Sequence, residues 1–178
     1  RTIYRNMGNE LKKEKILFIG NIDYVPNFTG LDWFLSEVFP KLPDDYVITI
    51  VGAGGETLKE KYSDERIKFT GLVDDLVPYL ASHGIGIAPM FIASGIQNKV
   101  LEYIYSGLAV VCSPKVKSGL LSNYSDAVHS HQTDPYEWAE AIINLDYNKE
   151  SAELYSERVK IAHSWDTITQ NFIEELEH

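Results

Sequence analysis

Residues that could do chemistry concentrate between Pro89 and Gly107, where the chain reads Pro89-Met90-Phe91-Ile92-Ala93-Ser94-Gly95-Ile96-Gln97-Asn98-Lys99-Val100-Leu101-Glu102-Tyr103-Ile104-Tyr105-Ser106-Gly107. The pattern is the end of a buried strand, a short loop at Ser94, Gly95 and Ile96, and a helix with charges near its start. Free N–H groups at a helix start point outward and carry about half a positive charge, so a phosphate seats there readily. Lys99, one turn in, adds a point charge. Glu102 lies three residues further on, on a neighbouring face, where a carboxylate can accept hydrogen bonds from a sugar diol. This is the local chemistry of a nucleotide site. The competing reading makes Ser94 a helix N-cap and Lys99 with Glu102 a solvated pair. Glu102 is flanked by Leu101, Tyr103, Ile104 and Tyr105, which argues against a freely solvated face, so the ligand site is the favoured reading.

Three smaller clusters follow other apolar runs. Gly52-Ala53-Gly54-Gly55 admits positive φ and close approach of a ligand, but a plain tight turn accounts for it equally well. It is no dinucleotide fingerprint, because Thr57 stands where the third glycine belongs. Asn21 to Asn27, with Pro26, forms a rigid loop that either contacts a donor or contacts nothing. Thr70-Gly71-Leu72-Val73-Asp74-Asp75 offers backbone groups at Leu72 or Val73 to a base edge, or simply helix-capping aspartates. His83, His129, His131 and His163 show no metal spacing, and no Gly-x-Ser-x-Gly elbow occurs. His129 and His131 alternate as on a strand, so both could face the ligand crevice.

The elements that must position these groups alternate. Strands are expected at Ile16–Gly20, Tyr46–Gly52, Ile67–Gly71, Ile85–Pro89 and Ala109–Cys112, with a short sixth at 127–129. Helices are expected after Thr29 as N-cap (Leu31 to Val38, limited by Pro40), at 56–62, from Asp74 or Asp75 to about His83, and from Ser94 to Gly107 as C′ residue. Further helices start at Asp134-Pro135, with breaks near Tyr147-Asn148 and His163-Ser164. Such alternation implies an α/β fold: a doubly wound, Rossmann-like parallel sheet covered on both faces, followed by C-terminal helices. Ligands bind such sheets beyond the carboxyl ends of the strands, where the order reverses. Every Gly or polar cluster above falls at such an end.

Composition narrows the classes. The net charge is −10 at pH 7, which weighs against nucleic acid or an anionic membrane as main partner. No apolar run reaches membrane-spanning length, and no signal peptide is read. The one cysteine, Cys112, sits in the apolar run Leu108–Cys112, as a buried, inert thiol of a reducing compartment. A start at Arg1 suggests a piece of a longer protein. Residues 1–14 read as a linker, and 176–178 as a tag remnant.

The chain resembles the C-terminal, donor-binding half of a retaining GT-B glycosyltransferase, most like glycosyltransferase family 4. The similarity runs from about Ile16 to Trp165 through Phe18-Ile19-Gly20-Asn21, Ile50-Val51-Gly52-Ala53-Gly54, Phe69-Thr70-Gly71-Leu72-Val73, Ile87-Ala88-Pro89 and Asn98-Lys99-Val100-Leu101-Glu102-Tyr103. The resemblance implies one half of a GT-B fold over 15–163 and a crossover helix over 164–175. It implies donor contacts at Asn21, Gly52, Gly54, Val73, Ser94, Gly95, Ile96, Lys99 and Glu102. Lys99 would stabilise the departing diphosphate, Glu102 would hold the ribose, and the Val73 backbone would meet the base. It further implies a UDP- or GDP-linked sugar as donor, no metal and no cofactor, and a glycan or lipid-linked acceptor bound by a missing N-terminal domain. The resemblance also implies a cytoplasmic setting, compatible with peripheral association at the inner face of the membrane.

Three departures stand out. Ser94 occupies the position of the first Glu of the family's Glu-x7-Glu motif. The basic residues common after the first strand are replaced around Asn21 and Asp23. The resemblance implies that an N-terminal acceptor domain is missing from this stretch, which would leave Trp165, Ile168, Phe172 and Ile173 partly orphaned. Two rival readings remain: a GT-B epimerase or hydrolase using His129 or His131 as acid or base, and a degenerate non-catalytic module.

Overall fold

The computed structural model describes residues 14–163. The expected linker up to residue 13, the crossover helix over 164–175 with Trp165, Ile168, Phe172 and Ile173, and the tag remnant over 176–178 lie outside them. Among the described residues, six strands form one wholly parallel sheet: β1 (Lys15–Ile19), β2 (Val47–Val51), β3 (Ile67–Gly71), β4 (Ile85–Ala88), β5 (Ala109–Cys112) and β6 (Val128–Ser130), in the order β3-β2-β1-β4-β5-β6. The connecting helices are α1 (Val25–Trp33), α2 (Glu56–Lys61), α3 (Val77–Ser82), α4 (Asn98–Tyr105), α5 (Pro114–Lys117), α6 (Pro135–Ile143) and α7 (Lys149–Ala162). This is the expected Rossmann-like α/β architecture. Strands β1, β2, β4 and β5 are apolar runs because helices cover both faces; Ile16, Leu17, Phe18, Ile48, Ile50, Ile87, Val110 and Val111 are all buried. Edge strand β3 instead alternates half-buried and exposed positions.

Chain order reverses between β1 and β4, and there the sheet opens. β1 pairs with β2 along five residues but with β4 only at Ile16 and Leu17. Tyr103 of α4 fills the divergence. Its ring lies where a Cβ on Gly86 would go, and its hydroxyl accepts the Ile19 N–H at 2.9 Å. A wholly buried side chain of this size contributes about 2–3 kcal/mol by burial alone, and the backbone donor it satisfies would otherwise be orphaned. Tyr103 thus pins α4 to the end of β1.

Helix boundaries differ from expectation at two places. Thr29 is not an N-cap: α1 starts at Val25, because Pro26 already has the φ of a first helical turn. The Thr29 hydroxyl bonds back to Val25 O at 2.9 Å instead. α1 then runs into a π-helical turn (Phe34–Val38) and a 3-10 turn holding Pro40 (Phe39–Lys41). Similarly, α4 starts at Asn98, not after Ser94. Gly95 takes φ +66°, outside helical space, and Gln97 becomes the N-cap. Elsewhere the local signals hold. Asp75 accepts the Val77 N–H, Asp134 those of Tyr136 and Glu137, and Asn148 that of Ser151. Gly107 at φ +80° ends α4, with Leu108 N–H bonded to Tyr103 O. Cys112 is buried, and burial pushes its thiol up to about 12.

Candidate functional site

The site lies at the carboxyl end of β1, and its centre is Lys99. In α4, Lys99 and Tyr103 are four residues apart and share a face, so the anchoring of Tyr103 aims Lys99 at the end of the strand. The Lys99 Nζ lies 2.6 Å from Asn27 Oδ1, 3.9 Å from Met90 Sδ and 4.2 Å from the Phe18 ring centroid. A Cβ on Gly20 would stand 2.9 Å from it, so the ammonium rests on bare backbone. Burial lowers Lys99 to about 7, since removing a cation from water favours its neutral form. No carboxylate among the described residues forms an ion pair with it.

Glu102 is exposed, which corrects the expectation that its apolar neighbours would shelter it. Val100, Tyr103 and Ile104 turn to the core and leave position 102 on the solvent side of the helix. No hydrogen bond or ion pair joins it to Lys99 among the described residues. Ser94, Gly95 and Ile96 are also exposed; the loop precedes the helix start. Its backbone is closely approached by Gly119, where a Cβ would stand 2.5 Å from Gly95 O. Val73 is half-buried beside the strongly exposed Leu72.

The glycines after β2 serve the chain itself. A Cβ on Gly52 would collide with the Gly20 carbonyl, and one on Gly54 with the Asp23 carboxylate. Asp23 Oδ1 accepts the Gly55 N–H at 3.0 Å, and Ile22 N–H bonds to Ala53 O at 2.9 Å. The loops after β1 and β2 are therefore clasped together. Asn21 is exposed; its side chain accepts the Asp23 N–H at 3.1 Å, and its carbonyl accepts Asn27 Nδ2 at 2.7 Å. The structure thus gathers Asn21, Gly52, Gly54 and Lys99 about the ends of β1 and β2.

Sequence reasoning held Asn27 and Asp23 only within a loop of two open readings, and Gly20 only within a strand-end motif, and gave none of the three a role of its own. The signal for Asn27 was Pro26: proline in a first helical turn places the next residue inside the helix, facing the sheet end. His129 is not in this crevice. It lines a cavity of about 250 Å³ with Asp126, Asp146, Tyr147 and Tyr155, beside the amino ends of β5 and β6. Neither Lys99 nor Glu102 borders that cavity. His131 Nδ1 stands 4.0 Å from Glu137 Oε2.

A family model described as glycosyl transferases group 1 matches residues 13–147. The chain belongs to this family. No curated protein matches it. Among solved structures, this glycosyl transferases group 1 chain is similar to Anabaena Alr3699/HepE in complex with UDP (TM-score 0.69, 14% identity, 92% of this chain and 48% of that one). It is also similar to a point mutant of S. aureus TarM in complex with Fondaparinux, alpha-GlcNAc-glycerol and UDP (TM-score 0.71, 14% identity, 98% and 37%). A third is the pneumococcal O-GlcNAc transferase GtfA in complex with UDP and GlcNAc (TM-score 0.68, 16% identity, 98% and 37%). The chain spans less than half the length of these structures. At such identities the likeness establishes the shared GT-B-type fold.

No helix among the described residues is long and apolar enough to cross a membrane. None of them form a group of three or more His, Cys, Asp or Glu side chains suited to a metal ion.

Proposed function

We propose that this domain binds the nucleoside diphosphate of a sugar donor, UDP- or GDP-linked, for a hexosyl transferase. The observation that carries the reading is the Lys99 ammonium, held at the sheet's switch point with one neutral oxygen as partner among the described residues. A half-buried cation without a carboxylate is costly, and a pyrophosphate would supply the missing charge. The N–H groups of the Ser94–Ile96 loop and of Asn98 and Lys99 at the start of α4 would add donors. As the donor's glycosidic bond breaks, negative charge grows on the leaving diphosphate. Lys99 faces that charge and lowers the barrier by preorganised electrostatics.

Glu102, exposed one turn further along, would accept from the ribose hydroxyls, and the Val73 backbone would meet the base. Asn21, Gly52 and Gly54 would shape the floor between them. The chemistry asks for no metal or other cofactor, because Lys99 and helix amides neutralise the leaving group. A glycan or lipid-linked acceptor would be bound by a further domain. Tyr24, Leu72, Ile92 and Ile96 on loops and Val25 at the start of α1, large apolar residues exposed at this edge, are consistent with such a facing wall. The UDP named in the three structural neighbours supports the donor class.

The epimerase or hydrolase reading loses His129, which borders the opposite edge, and keeps only His131, whose N–H bonds the Cys112 carbonyl at the carboxyl end of β5. Calorimetric titration of UDP and GDP into the chain tests the proposal. Binding of one of them, with nucleotide release from the matching sugar donor by a longer protein, is expected. No binding of either at about millimolar concentration would contradict it and favour a non-catalytic module.

A further inference from the structure

Asn27 is a polar side chain with 6% exposure, in the first turn of α1. Its amide bridges two parts of the site. Oδ1 accepts from Lys99 Nζ at 2.6 Å, and Nδ2 donates to Asn21 O at 2.7 Å. The partners fix the orientation: turned over, the amide would set NH2 against an ammonium and C=O against a carbonyl. The Nδ2 end and the Lys99 ammonium both rest on Gly20, where a Cβ would stand 2.9 Å from Asn27 Nδ2 and from Lys99 Nζ.

The chemistry of the alternatives explains why an amide serves here. An aspartate would hold the ammonium equally well but would neutralise it by ion pairing. An apolar residue would leave the charge but no acceptor. Other elements packed on Lys99 present Phe18, Gly20 and Met90, none of them charged. The carboxylate on the same loop, Asp23, is turned to Gly54 and Gly55, and Glu102 on α4 is exposed.

We infer that Asn27 is a positioning residue that holds the Lys99 ammonium at the end of β1 as an uncompensated charge, and so sets the affinity of the diphosphate subsite. The inference rests on the donor-binding reading and adds a role that Lys99 alone does not explain.

The test is binding of UDP-glucose and uridine to the whole chain bearing Asn27→Ala, Asn27→Asp or Lys99→Ala, from about pH 6 to about pH 9. UDP-glucose is the probe because its pyrophosphate diester does not titrate there. Asn27→Ala should weaken UDP-glucose roughly 5- to 30-fold in the native background and less than about twofold when Lys99 is already alanine. Asn27→Asp should weaken it at least as much at neutral pH. It should also move the alkaline loss of UDP-glucose affinity to higher pH, because a carboxylate partner favours the charged amine; Asn27→Ala should move it lower. Uridine should change less than about twofold throughout.

A merely structural Asn27 would weaken uridine and UDP-glucose together and leave the pH profile in place; that result overturns the inference. If one variant does not fold, the other carries the same test, since each predicts a signed shift. Loss of UDP-glucose in Lys99→Ala with no effect of either Asn27 variant refutes the role of Asn27 alone. An unchanged Lys99→Ala refutes the donor site itself.

Discussion

Two basic side chains are packed against the same sheet, His83 buried and Lys99 half-buried, and they are treated in opposite ways. His83, just before β4, is closed: Nδ1 lies 2.7 Å from the Tyr79 carbonyl and Nε2 lies 2.8 Å from Thr49 Oγ1. A neutral imidazole has one donor and one acceptor, and both are matched, with Nδ1–H donating and Nε2 accepting. Lys99, at the carboxyl end of β1, has three donors and, among the described residues, one oxygen acceptor, with the Met90 sulfur a distant second. Burial lowers the pKa of both. Only at Lys99 does the structure leave the resulting demand unmet. A satisfied buried base is structural, whereas an unsatisfied one at the carboxyl edge of the sheet suits the proposed diphosphate.

The largest effect that would probe this contrast comes from the backbone beneath Lys99. Gly52→Ala, at φ +145° and against the Gly20 carbonyl, should cost about 3 kcal/mol or more. Thermal denaturation should show it, and a melting temperature equal to the native one would mean that the β1 and β2 ends are not built on this contact.

Next is the stability of the unliganded chain. With Lys99 lowered to about 7 in the fold against about 10.4 unfolded, the unfolded state binds the proton first. Stability contributed at high pH is therefore lost as pH falls from about 10 through about 7. Lys99→Met should remove that slope and raise the melting temperature near neutrality. Comparing the two proteins across this range checks it; parallel curves would show that Lys99 carries no such penalty.

His83 gives a milder version on the acid side. Its folded pKa lies below the unfolded value, so its contribution is present above about 6.5 and is lost as pH falls below that value. Thr49→Val should cost about 1 kcal/mol at neutral pH by removing the hydroxyl partner, with nucleotide affinity untouched. A denaturant titration and a UDP titration of that variant separate the two edges of the sheet.

The smallest effect is expected at the exposed carboxylate. Glu102→Gln should weaken UDP and uridine alike by about 1 kcal/mol or less, seen by calorimetry. An effect confined to UDP would place Glu102 on the phosphates instead of the ribose.

Much of this architecture is legible in the chain. Apolar runs ending in glycine mark the strands, and Asp134-Pro135 and Gly107 punctuate helices through φ preferences that need no tertiary partner. Lys99 was legible because it follows a strand and a glycine loop. Other parts required the fold. The solvent-facing position of Glu102 depends on where α4 begins, and Gly95 shifted that start by three residues. Asn27 is invisible as a site residue until α1 is known to begin before it. The glycines after β2 look like ligand clearance in sequence, while in space they clear Gly20 and Asp23. His129 has strand periodicity, but periodicity does not say which end of the sheet a residue approaches.

The claim that the Lys99 ammonium is reserved for a pyrophosphate is tested most directly by titrating UDP and uridine into the native chain and Lys99→Ala. The account predicts that the substitution removes roughly 5- to 150-fold of UDP affinity, about 1–3 kcal/mol, and changes uridine less than about twofold. Equal losses for both ligands, or none for UDP, would contradict it.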